Sequence, residues 1–170
     1  KPSTLNSYIA VSLLMCCQLF AAGPPVSGQS AQFALGEALA EDQVIGECQG
    51  VAVDPVSGKL FVADRLHHRV LRFSVAEKVK SAGRAEAVLG QTDFVGKTAA
   101  SGATRLSSPW GLHVDASGRL WVADSGNNRV LRFDNAASKV SGAAADGVLG
   151  QANFTANSGG ASQTLMNGPT

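Results

Sequence analysis

The sequence is poor in charge. Only 16% of its 170 residues are Asp, Glu, Lys or Arg, and the formal net charge at pH 7 is +1. The excess is Lys1: without it, 14 basic residues become 13, against 13 acidic ones. A phosphate-binding surface calls for a clustered basic excess, and none is present, which argues against a nucleic-acid partner. Cysteine is equally scarce. Cys16 and Cys17 lie in the N-terminal segment, so Cys48 is left alone and no internal disulfide is expected within the rest of the chain. The uncharged stretch 8–23, "YIAVSLLMCCQLFAAG", is apolar for about 15 residues, short for a membrane span of roughly 20. It follows Lys1 and precedes small residues, the layout of a secretory signal. Val26 and Gly28 fit the cleavage positions, giving a signal over 1–28 and a mature start near Gln29. Met15 is too large for the usual lipid-modified start at Cys16. There is no Gly-x-Ser-x-Gly elbow, no His-Glu-x-x-His and no phosphate loop.

What is present is a repeat. "LFVADRLHHRVLRF" at 60–73 returns as "LWVADSGNNRVLRF" at 120–133, with nine of fourteen positions identical. "VLGQTDF" at 88–94 returns as "VLGQANF" at 148–154, again 60 residues later, and "LSSPWG" at 106–111 as "MNGPT" at 166–170. Each copy holds four short segments rich in Val, Leu and aromatics, bounded by Gly, Asp, Asn or Ser: in the second copy 111–115, 119–124, 129–134 and 147–151. That is strand length and composition with turn punctuation. "DASGR" and "DSGNNR" are tight connections, so the first three strands form an antiparallel meander. Leu120 and Val122 alternate with Trp121 and Ala123, so both faces are apolar and the sheet lies between two others. Four-stranded sheets repeated and stacked face to face describe an all-β chain with the architecture of a β-propeller. Helical periodicity, which a helical solenoid needs, is absent, and a β-sandwich does not require near-identical units. The expected organisation is a signal over 1–28, a partial first blade over 29–49, one blade with its link over 50–110 and a second over 111–170. The chain stops where its own repeat begins again and lacks an initiator Met, so it reads as a piece of a longer protein.

The stretches "QGVAVDPVSGKLFVADRLHHRVLRF" and "PWGLHVDASGRLWVADSGNNRVLRFD" resemble NHL repeats. The Gly before the first strand, the "VD…G(K/R)L(F/W)VAD" core and the "RVLRF" ending fall in order. The resemblance implies a propeller, usually six-bladed, and an interaction role as the family's commonest. The 60-residue period is longer than the family's usual one, and the first copy has "LHH" where the second has "GNN".

Strand parity gathers one set of loops at one end of the blades. That end carries Arg65, His67 and His68 in the first copy, Ser125, Asn127 and Asn128 in the second, and the links 92–108 and 152–168, poor in charge and rich in Gly, Ser, Thr and Ala. Long loops on a rigid frame are where binding concentrates. Trp110 stands at the mouth of the expected channel, able to stack on a ligand or to close the blade junction. The opposite end carries Lys78, Lys80 and Arg84 in a solvated connection. Asp64 with Arg69, and Asp124 with Arg129, bracket the turns and read as structural, because they recur in each unit. His113 falls mid-strand where the other copy has Ala52, and is a candidate metal ligand toward the channel. The resemblance extends to lyases that hold a metal there through His residues, but zinc needs three or four converging ligands and calcium an oxygen cage. "NFT" at Asn153 is a glycosylation pattern. The expectation is a non-enzymatic, secreted or periplasmic scaffold binding a protein, peptide or glycan, without a cofactor. The alternatives are a metal-dependent lyase or lactonase on the same fold, or the sensor domain of a membrane receptor.

Overall fold

The structure is a computed structural model that describes residues 44–75 and 83–170. The signal segment 1–28, most of 29–49, and Lys78 and Lys80 lie outside the described residues. Within them, β1 (Cys48–Val53), β2 (Leu60–Asp64), β3 (Arg69–Phe73) and β4 (Ala87–Leu89) form one four-stranded antiparallel sheet in sequential order. A second sheet repeats it with β5 (Pro109–Val114), β6 (Leu120–Asp124), β7 (Arg129–Phe133) and β8 (Gly147–Leu149). These are two propeller blades. Among the described residues no helix is long and apolar enough to cross a membrane.

The register is the same in both copies: Leu60 pairs with Phe73 and Val62 with Leu71, as Leu120 pairs with Phe133 and Val122 with Leu131. Two strand bounds of the second copy differ from the sequence reading by more than one residue. β5 starts at Pro109 rather than Gly111, because a register shift between Pro109 and Leu112 lets Pro109 pair with Asp124 beyond the irregularity. β8 stops at Leu149 because Gly150 takes φ 82° and turns the chain away.

Alternation sends each blade's side chains to two faces. Leu60, Val62, Leu71, Phe73 and Val88 make one cluster in the first blade. Its other face, with Phe61, Val70 and Leu89, packs against Val114, Leu120, Val122, Leu131 and Phe133 of the second blade. Phe61, Val70 and Leu89 are fully buried there, each contributing about 1.5–3 kcal/mol relative to exposure. The first strands β1 and β5 lie side by side. Gly50 is required at that approach, since a Cβ would run into the Trp110 carbonyl oxygen. At the end away from the β2–β3 turn, Arg72 caps the Ala136 and Lys139 carbonyls at 2.7 Å, and Lys59 caps that of Ala137 at 2.9 Å. Glu86 bridges both cations at 2.6 Å. The second blade's far face is more open: Leu149 is 49% exposed, and Trp121 lies between the Arg119 and Arg132 guanidiniums, each 5.9 Å from its ring.

Candidate binding face

Each β2–β3-type turn is built on one buried ion pair. Arg69 Nε donates to Asp64 Oδ2 at 2.9 Å, and Arg129 Nε to Asp124 Oδ2 at 2.7 Å, all four side chains being 0% exposed. The free carboxylate oxygen fastens the chain entering the blade: Asp64 Oδ1 accepts the Gly46 and Glu47 N–H groups, and Asp124 Oδ1 that of Ser107 at 2.6 Å. The remaining guanidinium donors fasten the links. Arg129 reaches the Gly102 and Arg105 carbonyls at 3.0 Å and also that of Phe154; Arg69 reaches those of Val44 and Phe94. Burial pushes the Asp124 carboxyl up from its ordinary range, against Ser107 N–H, Asn127 and Arg129, which hold it down.

"LHH" and "GNN" do the same work. Asn127 Nδ2 donates to Asp124 Oδ2 at 2.8 Å, and His67 Nδ1 donates to Asp64 Oδ2 at 2.8 Å. Asn128 and His68 share a left-handed φ of 52°. Asn128 Oδ1 accepts the Gly168 N–H at 2.9 Å, and His68 Nδ1 accepts the Ser108 N–H at 3.0 Å. That second bond requires an unprotonated Nδ1. Burial lowers the His68 pKa below 6.5, with Asp64 opposing and His67 and Arg65 assisting. His68 and Asn128 therefore tie one segment to the next. Asn127 is buried at 3% exposure and does not face solvent.

Arg65 and Trp110 meet at the mouth, with the guanidinium 5.5 Å from the ring centroid. Glu47 Oε2 takes Arg65 Nη1 at 2.8 Å, and Gln49 donates to the same Glu47 carboxylate. Ser125, in the place of Arg65, donates to the Pro169 carbonyl. Arg65, Glu47, Gln49 and Trp110 are all partly exposed. His113 is exposed on β5, cross-strand from Trp121, on the far face of the second blade and away from this mouth. Among the described residues no group of three or more His, Cys, Asp or Glu is placed to hold a metal.

Two residues the sequence reading left without a role organise the links. Gln91 donates to the His68 and Thr98 carbonyls at 2.9 and 3.0 Å; Gln151 donates to those of Asn128 and Ser158 at 2.9 and 2.8 Å. The signal was present in the sequence, as the last letter of the repeated "VLGQ". Beyond each Gln, Asp93 and Asn153 accept two backbone N–H groups in matching turns. The frame is thus the same in both links, but its tips differ. The first exposes Asp93, Val95 and Lys97; the second exposes Asn153, Thr155 and Asn157.

Residues 46–73 and 106–133 match the family described as NHL repeat. A search of curated proteins found no match. Among solved structures the chain is similar to a streptogramin B lyase (13% identity, 52% of this chain and 24% of that one, TM-score 0.37). It is also similar to apo AztD from Citrobacter koseri (15% identity, 68% of this chain and 26% of that one, TM-score 0.41). The chain spans about a quarter of the length of either structure. The matched stretches 46–73 and 106–133 each cover a blade's first three strands and the Asp–Arg turn they carry, so the chain carries two NHL repeats, one in each blade.

Proposed function

We propose that the chain is an extracytoplasmic recognition module that binds a protein, peptide or glycan through the end formed by the two links, Arg65 and Trp110. One observation carries this reading: two links with the same buried frame present different exposed tips, one charged and one uncharged. A fixed frame with variable tips is how loops on a rigid scaffold acquire binding specificity. The pair of Arg65 and Trp110 adds a cation and an aromatic surface beside them, the residue types that carry most binding energy at interfaces. The signal-like segment 1–28 supports placement outside the cytoplasm.

The test is selection against a displayed peptide library and a glycan array, followed by replacement of tips 95–99 and 155–159 with Gly-Ser sequences. The reading expects loss of the selected ligand with an unchanged thermal midpoint. Selected ligands that ignore both tip replacements and Trp110→Ala would overturn it.

A further inference from the structure

The two glutamines differ in one bond. Gln91 Oε1 accepts Arg105 Nη1 at 2.8 Å, while Gln151 Oε1 is buried and has no hydrogen-bond partner. The orientation of the Gln151 amide is fixed, because its nitrogen lies against two carbonyls, at 2.9 and 2.8 Å, where an oxygen would be repelled. The orphan is therefore the amide oxygen. The Gln151 residue is 7% exposed, so the acceptor has been taken out of water without compensation. The link geometry shows what is missing. The Ala100 N–H bonds the Leu106 carbonyl as the Gly160 N–H bonds that of Met166, so the residue before each corresponds: Arg105 in the first link, Leu165 in the second. The second link, 152–168, contains no charged residue.

We propose that Gln151 Oε1 receives an arginine side chain from a peptide partner, in the place that Arg105 holds within the first link. The guanidinium displaces the half-buried Leu165 side chain toward solvent and donates one N–H to the orphaned oxygen. Asp93, whose charge interacts with Arg105, is replaced by Asn153 here, so the incoming cation meets no carboxylate of the link and a single arginine binds on the order of millimolar. This inference rests on the reading of the link end as a binding face and names one subsite of it.

The experiment titrates isotopically labelled full-length chain with Nα-acetyl-arginine amide and follows the side-chain amide resonances of Gln91 and Gln151. The expected result is a saturable shift at Gln151 alone. Leu165→Arg supplies the cap internally and should weaken that response at least about tenfold, the scale of a charge-assisted hydrogen bond. Arg105→Leu should make Gln91 respond as well; should that variant not fold, the wild type and Leu165→Arg decide the matter. No saturable shift at Gln151, or one that survives Leu165→Arg undiminished, overturns the proposal. A loop ligand that binds Leu165→Arg as tightly as wild type while the tip replacements abolish it would sink this subsite and leave the binding face standing.

Discussion

Arg129→Met tests whether the buried ion pair holds the blade and its links together. The substitution keeps an unbranched apolar stem of similar reach and removes every donor. It deletes the bond to Asp124 at 2.7 Å, the bonds to the Gly102 and Arg105 carbonyls at 3.0 Å and the one to Phe154. It also leaves Asp124, at 0% exposure, a buried carboxylate with only Ser107 N–H and Asn127 as donors. Stranding one partner of a buried pair costs about 3–5 kcal/mol. For a chain of this size that lowers the thermal midpoint by roughly 6–20 °C. Arg129→Met with Asp124→Asn removes the stranded charge while retaining an oxygen for Ser107 N–H. The double variant should therefore recover part of the loss, on the order of 1–2 kcal/mol. Urea denaturation at pH 7 of wild type, both single variants and the double variant completes the cycle. A cost below about 1 kcal/mol for Arg129→Met would refute the reasoning, as would a double variant no better than that single one.

Three further outcomes follow from the same geometry. His68 has a folded pKa depressed below the ordinary histidine value of about 6.5, so the unfolded chain binds the extra proton first; its stability contribution is full above about pH 6.5 and is lost as pH falls below it. His68→Asn supplies the acceptor that Asn128 already supplies, and the dependence of denaturation midpoint on pH between about 7.5 and 5 should flatten; an unchanged slope would assign it to another group. Gly50→Ala drives a methyl into the Trp110 carbonyl and should cost about 1–3 kcal/mol or more, whereas at Gly111 the nearest obstacle is the Thr170 carbonyl carbon at 3.0 Å, so Gly111→Ala should cost less in the same assay. Phe61→Ala empties the seam between blades and should cost about 3–5 kcal/mol, while Trp121→Ala, on the partly exposed far face, should cost clearly less; equal losses would mean that the far face is as closely packed as the seam.

The strands were legible because a sheet writes its pattern directly into sequence. Short runs at 60–64 and 120–124 that are apolar on both faces, Gly at the turns and a second copy at fixed spacing determine order, direction and register together. The left-handed turn residue was visible in Asn128 and hidden in His68, since histidine there is explained only by the Ser108 N–H that its ring accepts. The candidate face was legible by parity alone, which places the link and the β2–β3 turn at one end. Which side chains at that end are spent inside the protein was not. Asn127 and His67 answer to a buried carboxylate, and Gln91 and Gln151 answer to main-chain carbonyls. Apart from recurrence, as in the Gln of the repeated "VLGQ", backbone partners leave no trace in residue patterns, so a polar turn residue that differs between copies looks the same whether it faces water or closes a junction.

A repeat supplies its own control. Where the two copies differ and the contact persists, as with His67 for Asn127 and His68 for Asn128, the position is constrained by the bond and not by the residue. The differing tips, Asp93, Val95 and Lys97 against Asn153, Thr155 and Asn157, include one position, Lys97 against Asn157, with no contact common to both copies, although the Asn157 carbonyl accepts Asn128 Nδ2. Arg105 and Leu165 belong to neither class, because the acceptor was kept and its donor was not. A buried acceptor without a donor costs about 1–3 kcal/mol wherever it is retained. Gln151 cannot be replaced cheaply, since its nitrogen holds the Asn128 and Ser158 carbonyls and so the shape of the whole link. The link has therefore kept the frame and left one buried oxygen without a donor, and it is on that oxygen that the proposed arginine subsite rests.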